Sequence, residues 1–147
     1  ISSTSKLIPL MELIVPTKKS LMVIAEDIEG EALALLVVNK LKGSMQCHAV
    51  KAPGFGDRRK AMLEDVGILV GAKPIFKDLG IELDKIDLSY LGTAEKVISN
   101  ADNTIIVGGK GSRKAIDERI KQLRAEIETT DSDYDREKLH EAFVFLI

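Results

Sequence analysis

The sequence has one cysteine, Cys47, and two histidines, His48 and His140. A lone thiol excludes an internal disulfide and fits a reducing compartment. With so few soft ligands, and none at metal spacing, a zinc centre is not indicated. Cys47 reads as a small buried hydrophobe, and the two histidines as ordinary packing or surface residues. A surplus of either charge is also missing: 21 Lys and Arg face 23 Asp and Glu, for a net −2. Nothing basic points to a nucleic-acid partner. No apolar run reaches the ~18 residues that a membrane helix needs, and no signal-peptide pattern follows Ile1. Since Ile1 is not an initiator methionine, the chain is expected to be a piece of something longer. Paired carboxylates such as Asp131 with Asp133, or Glu82 with Asp84, lie in polar stretches and read as caps and solubilising charge.

What is there is ordinary globular composition over 147 residues, enough for one domain with a sizeable core. Residues 27–43 (DIEGEALALLVVNKLKG) read as one helix with acidic residues at its start, lysines in its last turn and Gly43 as its stop. Leu33, Val37 and Leu41 fall on one side, Ala34 and Val38 extend it, and Leu35 and Leu36 point elsewhere. A helix apolar nearly all round is either covered on all sides or shows a sticky face to solvent. Both readings stand on the sequence alone.

The flanking segments give the coarse plan. Residues 7–15 (LIPLMELIV) form a short helix with Ile8, Met11 and Val15 at helical spacing, and Pro16 ends it. Residues 2–6 are polar and expected to fray. Residues 21–25 (LMVIA) and 45–52 (MQCHAVKA) read as strands on either side of the organising helix. They make a βαβ unit with parallel strands and a right-handed crossover. A further helix follows the PGFG loop from Asp57. Residues 73–76 (KPIF) are a candidate edge strand, and residues 88–91 a candidate short helix. Residues 96–98 and 104–107 read as a hairpin around the NADN turn, with a glycine turn over 108–111. Ser112 caps an amphipathic helix, and Ser132 caps another, the two forming a helical hairpin.

Two glycine loops look fit for phosphate. Gly54-Phe55-Gly56-Asp57-Arg58-Arg59 follows a strand and opens a helix, but the third glycine of a dinucleotide loop falls on Arg59. A nucleotide- or anion-binding enzyme domain using this PGFGD loop is the alternative reading. Gly109-Lys110-Gly111-Ser112 lacks motif spacing and reads as a turn.

Residues 50–72 (VKAPGFGDRRKAMLEDVGILVGA) resemble the apical domain of group I (GroEL-type) chaperonins. Residues 24–43 and 129–141 (TTDSDYDREKLHE) match two further stretches of that family, and the order can be followed from Leu7 to Glu141. The resemblance implies an α/β class and a layered apical-domain fold. It would hold the βαβ unit, the β-hairpin and flanking helices with a C-terminal helical hairpin, the whole of 1–147 being one apical-domain fragment. The family captures non-native polypeptide, and the mobile loop of its small co-chaperonin lid, in a groove between two helices. Carried over by position, the contacting residues are Ile8, Met11, Leu33, Val37 and Val38, with Asn39 and Lys42 at the edge. This favours the exposed reading of the organising helix. Lys19, Glu29 and Glu31 are implied in salt bridges to a neighbouring subunit.

The same resemblance implies a chaperone module rather than an enzyme. It places ATP, magnesium and heptameric ring assembly in parts of the full-length family member that these residues do not match. No nucleic acid and no membrane are expected. Location would be cytoplasmic for a bacterial member, and mitochondrial or plastid matrix for an organellar one. Two features depart from the family: Pro16 shortens the first groove helix, and the tail AFVFLI is more apolar.

The expected behaviour is a chain that neither turns over ATP nor closes a ring. Scattered exposed ion pairs contribute only ~0–1 kcal/mol each, less than a stable ring interface needs. Equilibrium sedimentation at micromolar protein, with and without ATP, should show monomer, or a weak dimer through the groove at high concentration. A stable heptamer, or ATP turnover that tracks the pure protein, would contradict this.

Overall fold

The computed structural model describes residues 1–146, with side chains described as far as Phe143. The chain mixes helix and strand in the order α1 (Thr4–Ile14), β1 (Leu21–Ala25), α2 (Gly30–Leu41), β2 (Cys47–Lys51), α3 (Gly56–Val70), β3 (Ala94–Ser99), β4 (Thr104–Gly109), α4 (Arg113–Thr129) and α5 (Asp133–Leu146). It divides into two compact units. One comprises Ile1–Leu63 with Pro74–Leu91, the other Glu64–Lys73 with Gly92–Ile147.

In the first unit β1 and β2 pair in parallel, with Leu21 opposite Cys47 and Ala25 opposite Lys51. The strand–helix–strand reading is therefore correct in pairing. The core lies where this pair meets the inner faces of α1 and α2. Leu7, Leu10, Met11 and Ile14 come from α1, Ala32 and Leu36 from α2, and Leu21, Val23, Met45 and Cys47 from the strands and their approach. Cys47 is buried, and its thiol reaches the Leu36 carbonyl at 3.2 Å, tying β2 to α2. Burial pushes that thiol up from its ordinary pKa.

α1 differs from expectation in phase and in start. It begins at Thr4, so residues 4–6 are helical rather than frayed. Its inner stripe is Leu7, Leu10, Met11 and Ile14, the i, i+3, i+4, i+7 pattern, so of Ile8, Met11 and Val15, which lie at helical spacing, only Met11 turns inward. Pro16 does stop the α-helix: a 3-10 turn over Val15–Thr17 follows, and Lys18 takes a left-handed conformation at φ 56°. Residues 73–76 form no strand. Past them the chain makes three 3-10 turns, Lys77–Leu79, Leu83–Lys85 and Leu88–Tyr90, and between the last two Ile86 joins the core.

In the second unit β3 and β4 form the antiparallel hairpin that the NADN turn announces. Asn100 accepts from the Asp102 and Asn103 N–H groups at 2.9 and 2.8 Å. Ser112 caps α4 by accepting from the Ala115 N–H. Arg124 lies over the Phe143 ring, and Arg136 donates to the Thr130 carbonyl, so α4 and α5 are held as a helical hairpin. Leu123 of α4 is fully buried. Asp65 is also buried, and Arg119 donates to its carboxylate at 2.7 Å. The packing of the apolar tail AFVFLI, beyond Phe143, lies outside the described residues.

The glycines after Val107 do more than turn. β4 runs through Gly109, and Gly111 donates its N–H to the Leu69 carbonyl at 2.9 Å. A Cβ on Gly111 would sit 2.0 Å from the Ile68 carbonyl oxygen. Gly111→Ala should therefore force the backbone apart and lower stability by about 1–3 kcal/mol or more. Urea unfolding measures it, and an unchanged midpoint would contradict the close approach.

Candidate functional site

The surface of interest is set by how little of α2 is buried. Only Ala32 and Leu36, one turn apart, are buried in the core, and Leu35 packs half-buried against it. Leu33, Val37 and Val38 are 43%, 46% and 44% exposed, and Leu41 is 81% exposed. Leu35 and Asn39 are half-buried, and Asn39 donates its amide to the Leu35 carbonyl at 2.8 Å. That bond fixes the Asn39 side chain along its own helix. Lys42 caps the helix end and is exposed.

α1 lies beside the start of α2. The Ala32 N–H donates to the Ser2 carbonyl at 3.2 Å, and the Thr4 hydroxyl to Glu31 at 3.5 Å. Ile8 on α1 is 40% exposed, and Leu13 and Val15 are exposed too. Met11 corrects an expectation. It is 6% exposed and belongs to the core. The reason is the phase of α1: Met11 follows Leu10 and Leu7 on the inner stripe, and Ile8 does not. Of the seven residues expected to contact polypeptide, Ile8, Leu33, Val37, Val38 and Lys42 stand outside, Asn39 is partly covered and Met11 is inside.

Three outward residues were not among the expected site. Leu41 was already on the Leu33–Val37 side of the helix, so its spacing could have included it. Leu13 and Val15 become outward only once the α1 phase is known. Lys19, Glu29 and Glu31 are all exposed.

A recess of about 150 Å³ opens on the β2 side of Leu33, walled by Asp27, Ile28, Ala49, Val50 and Lys51. Asp27 and Lys51 meet across it at 3.3 Å. The Lys51 ammonium, and after it the Ile28 N–H, hold the Asp27 carboxyl below its ordinary pKa. Both side chains are substantially exposed, so the pair adds little to stability.

The PGFG loop is folded back on itself. Gly54 and Gly56 sit at φ 75° and 55°, where a side chain would be strained. Phe55 projects into solvent. Arg59, in the place of a third glycine, donates to the Gly54 carbonyl at 2.9 Å, pairs with Glu26 at 3.2 Å and lies over the Phe55 ring. Its guanidinium is thus committed to its own loop and to a carboxylate, which does not favour an anion site there.

No known family model matches this sequence. Among solved structures, the chain is similar to the chaperonin gp146 from the bacteriophage EL 2 (Pseudomonas aeruginosa), crystallised in the presence of ATP-BeFx. The TM-score is 0.61 at 17% identity, over 97% of this chain and 29% of that one. The likeness is one of fold, to part of a chaperonin, and the chain spans less than a third of that protein's length.

The two faces of the helix pair can be separated by stability. Met11→Ala should cost about 2–5 kcal/mol, because it leaves a cavity in the core. Val38→Ala should stay within about 0.5 kcal/mol, as an exposed site does. Paired denaturation curves of the two variants measure this, and equal losses would contradict the assignment of faces.

Proposed function

We propose that this chain is a polypeptide-capture module of the chaperonin type, corresponding to an apical domain. The observation that carries the proposal is the outward strip Leu33, Val37, Val38 and Leu41 on α2, with Ile8 exposed on α1, the helix that lies beside the start of α2. The fold's likeness to part of a chaperonin supports it, as do the sequence stretches 24–43, 50–72 and 129–141.

The physics suits capture of many sequences. Non-native chains expose apolar side chains in no fixed order. An aliphatic strip gains about 25 cal/mol for each Å² of such surface removed from water, without demanding a particular geometry. The outward edge of two helices can take an extended segment or the apolar face of an amphipathic helix. The mobile loop of a small co-chaperonin lid would compete for the same strip.

In this reading Leu33, Val37, Val38 and Ile8 make the contacts, and Met11 supports them from beneath. Asn39 and Lys42 border the strip. The module carries out no chemistry. ATP, magnesium and ring closure would belong to other parts of a full-length protein.

Val38→Glu is the direct test. A carboxylate there would have to be desolvated when a segment docks, so capture of a denatured protein should fall by about tenfold or more. The circular dichroism spectrum should not change, because the site is exposed. Unchanged capture by the folded variant would sink the proposal.

A further inference from the structure

The outward strip has unequal ends. At its start stand Glu29 and Glu31. At its far end two linked segments each carry a pair of lysines. Lys40 and Lys42 occupy the last turn and cap of α2. Lys18 and Lys19 lie in the link between α1 and β1. The link is held beside the end of α2 because the Leu21 N–H donates to the Gln46 carbonyl at 2.9 Å. Ser44 and Met45, in turn, donate back to the Asn39 carbonyl. The four lysines therefore flank one short stretch of backbone.

All four are exposed. In the same unit Lys51, Lys60 and Lys85 each meet a carboxylate. Among the described residues, Lys18, Lys19, Lys40 and Lys42 are in no ion pair. The carboxylate of α1 nearest this end is Glu12, one against four. The negative end of the α2 dipole offsets part of the positive charge, and its influence fades within a turn. The fold leaves these exposed lysines around the Leu41 end of the strip and engages none of them in an ion pair among the described residues.

We infer that the strip prefers aliphatic segments flanked by acidic residues, which lie over Lys18, Lys19, Lys40 and Lys42. This rests on the capture reading above and names the class of segment it favours. Apolar contact supplies the non-directional part of the attraction. The lysines add a charge-complementary part that rejects segments with basic flanks. Exposed charges act through water, so the preference must weaken as salt rises.

The test uses the chain as it stands and labelled peptides that share one Leu/Val/Ile core. One peptide has serine flanks, one Asp/Glu flanks and one lysine flanks. A fourth has acidic flanks around a serine core. Fluorescence anisotropy at low salt should show the acid-flanked peptide binding about tenfold tighter than the lysine-flanked one, a gap within reach of several exposed pairs. The gap should close at high salt. The variant K18Q/K19Q/K40Q, which leaves Lys42 of the strip's border in place, should largely erase it and leave the serine-flanked affinity within about twofold. Equal affinities for acid- and lysine-flanked peptides, or a gap that survives in the variant, would overturn the inference while leaving capture intact. Equally tight binding of the serine-core acidic peptide would overturn it too, since the patch would then be a plain polyanion site. Failure of the serine-flanked peptide to bind would overturn the capture reading itself, and the inference with it.

Discussion

The first unit depends on one narrow seam. α2 buries only Ala32 and Leu36 in the core, with Leu35 half-buried against it, and α1 meets the same core through Leu7, Leu10, Met11 and Ile14. Ala32 is the small residue that lets the helix approach closely, and it is fully buried. Leu36 fills the space next to Cys47, whose thiol contacts the Leu36 carbonyl. So narrow a seam on a twelve-residue helix leaves Leu33, Val37, Val38 and Leu41 outside. The exposed strip is thus a geometric consequence of the seam. A wider seam would bury Leu33 or Val37 and remove the surface.

Much of this was legible where local chemistry decides. The parallel β1–β2 pairing follows from two apolar runs separated by a helix. The hairpin follows from the side-chain acceptor of Asn100, and the α4 boundary from Ser112. The phase of α1 was not legible. Residues 7, 8, 10, 11, 13, 14 and 15 are all apolar, so two stripes fit a helical period equally well. Which stripe turns inward is settled by what packs against it. Here that includes Ile86, which reaches the core from a segment of 3-10 turns with little sequence signal. Met11 was misplaced for that reason, and Leu13 and Val15 were missed with it.

The glycines show a second limit of sequence reasoning. At 54 and 56 positive φ marks a tight loop, which a PGFG string announces. At 109 and 111 the requirement is tertiary. The Leu69 and Ile68 carbonyls lie where a side chain would be, and nothing near Gly111 in sequence signals them. A turn reading is natural for a glycine run, and only the close approach reveals a packing constraint. The Arg59 position works the other way. Its identity argued against a phosphate loop, and its engagement with Gly54, Glu26 and Phe55 supplies the physical reason.

The side chains on the strip suit loose recognition better than tight recognition. Leu, Val and Ile offer apolar area without the directional polar handle of tyrosine or tryptophan, so they impose little geometry on a partner. Val37 and Val38 are β-branched and hold nearly one rotamer on a helix, so contact costs them little side-chain entropy. Ordering entropy falls instead on the partner, which limits affinity for any one sequence. In the proposed capture role, a surface built this way would bind many segments weakly and release them readily. Selectivity must then come from groups around the strip, and around α2 those groups are charged at both ends.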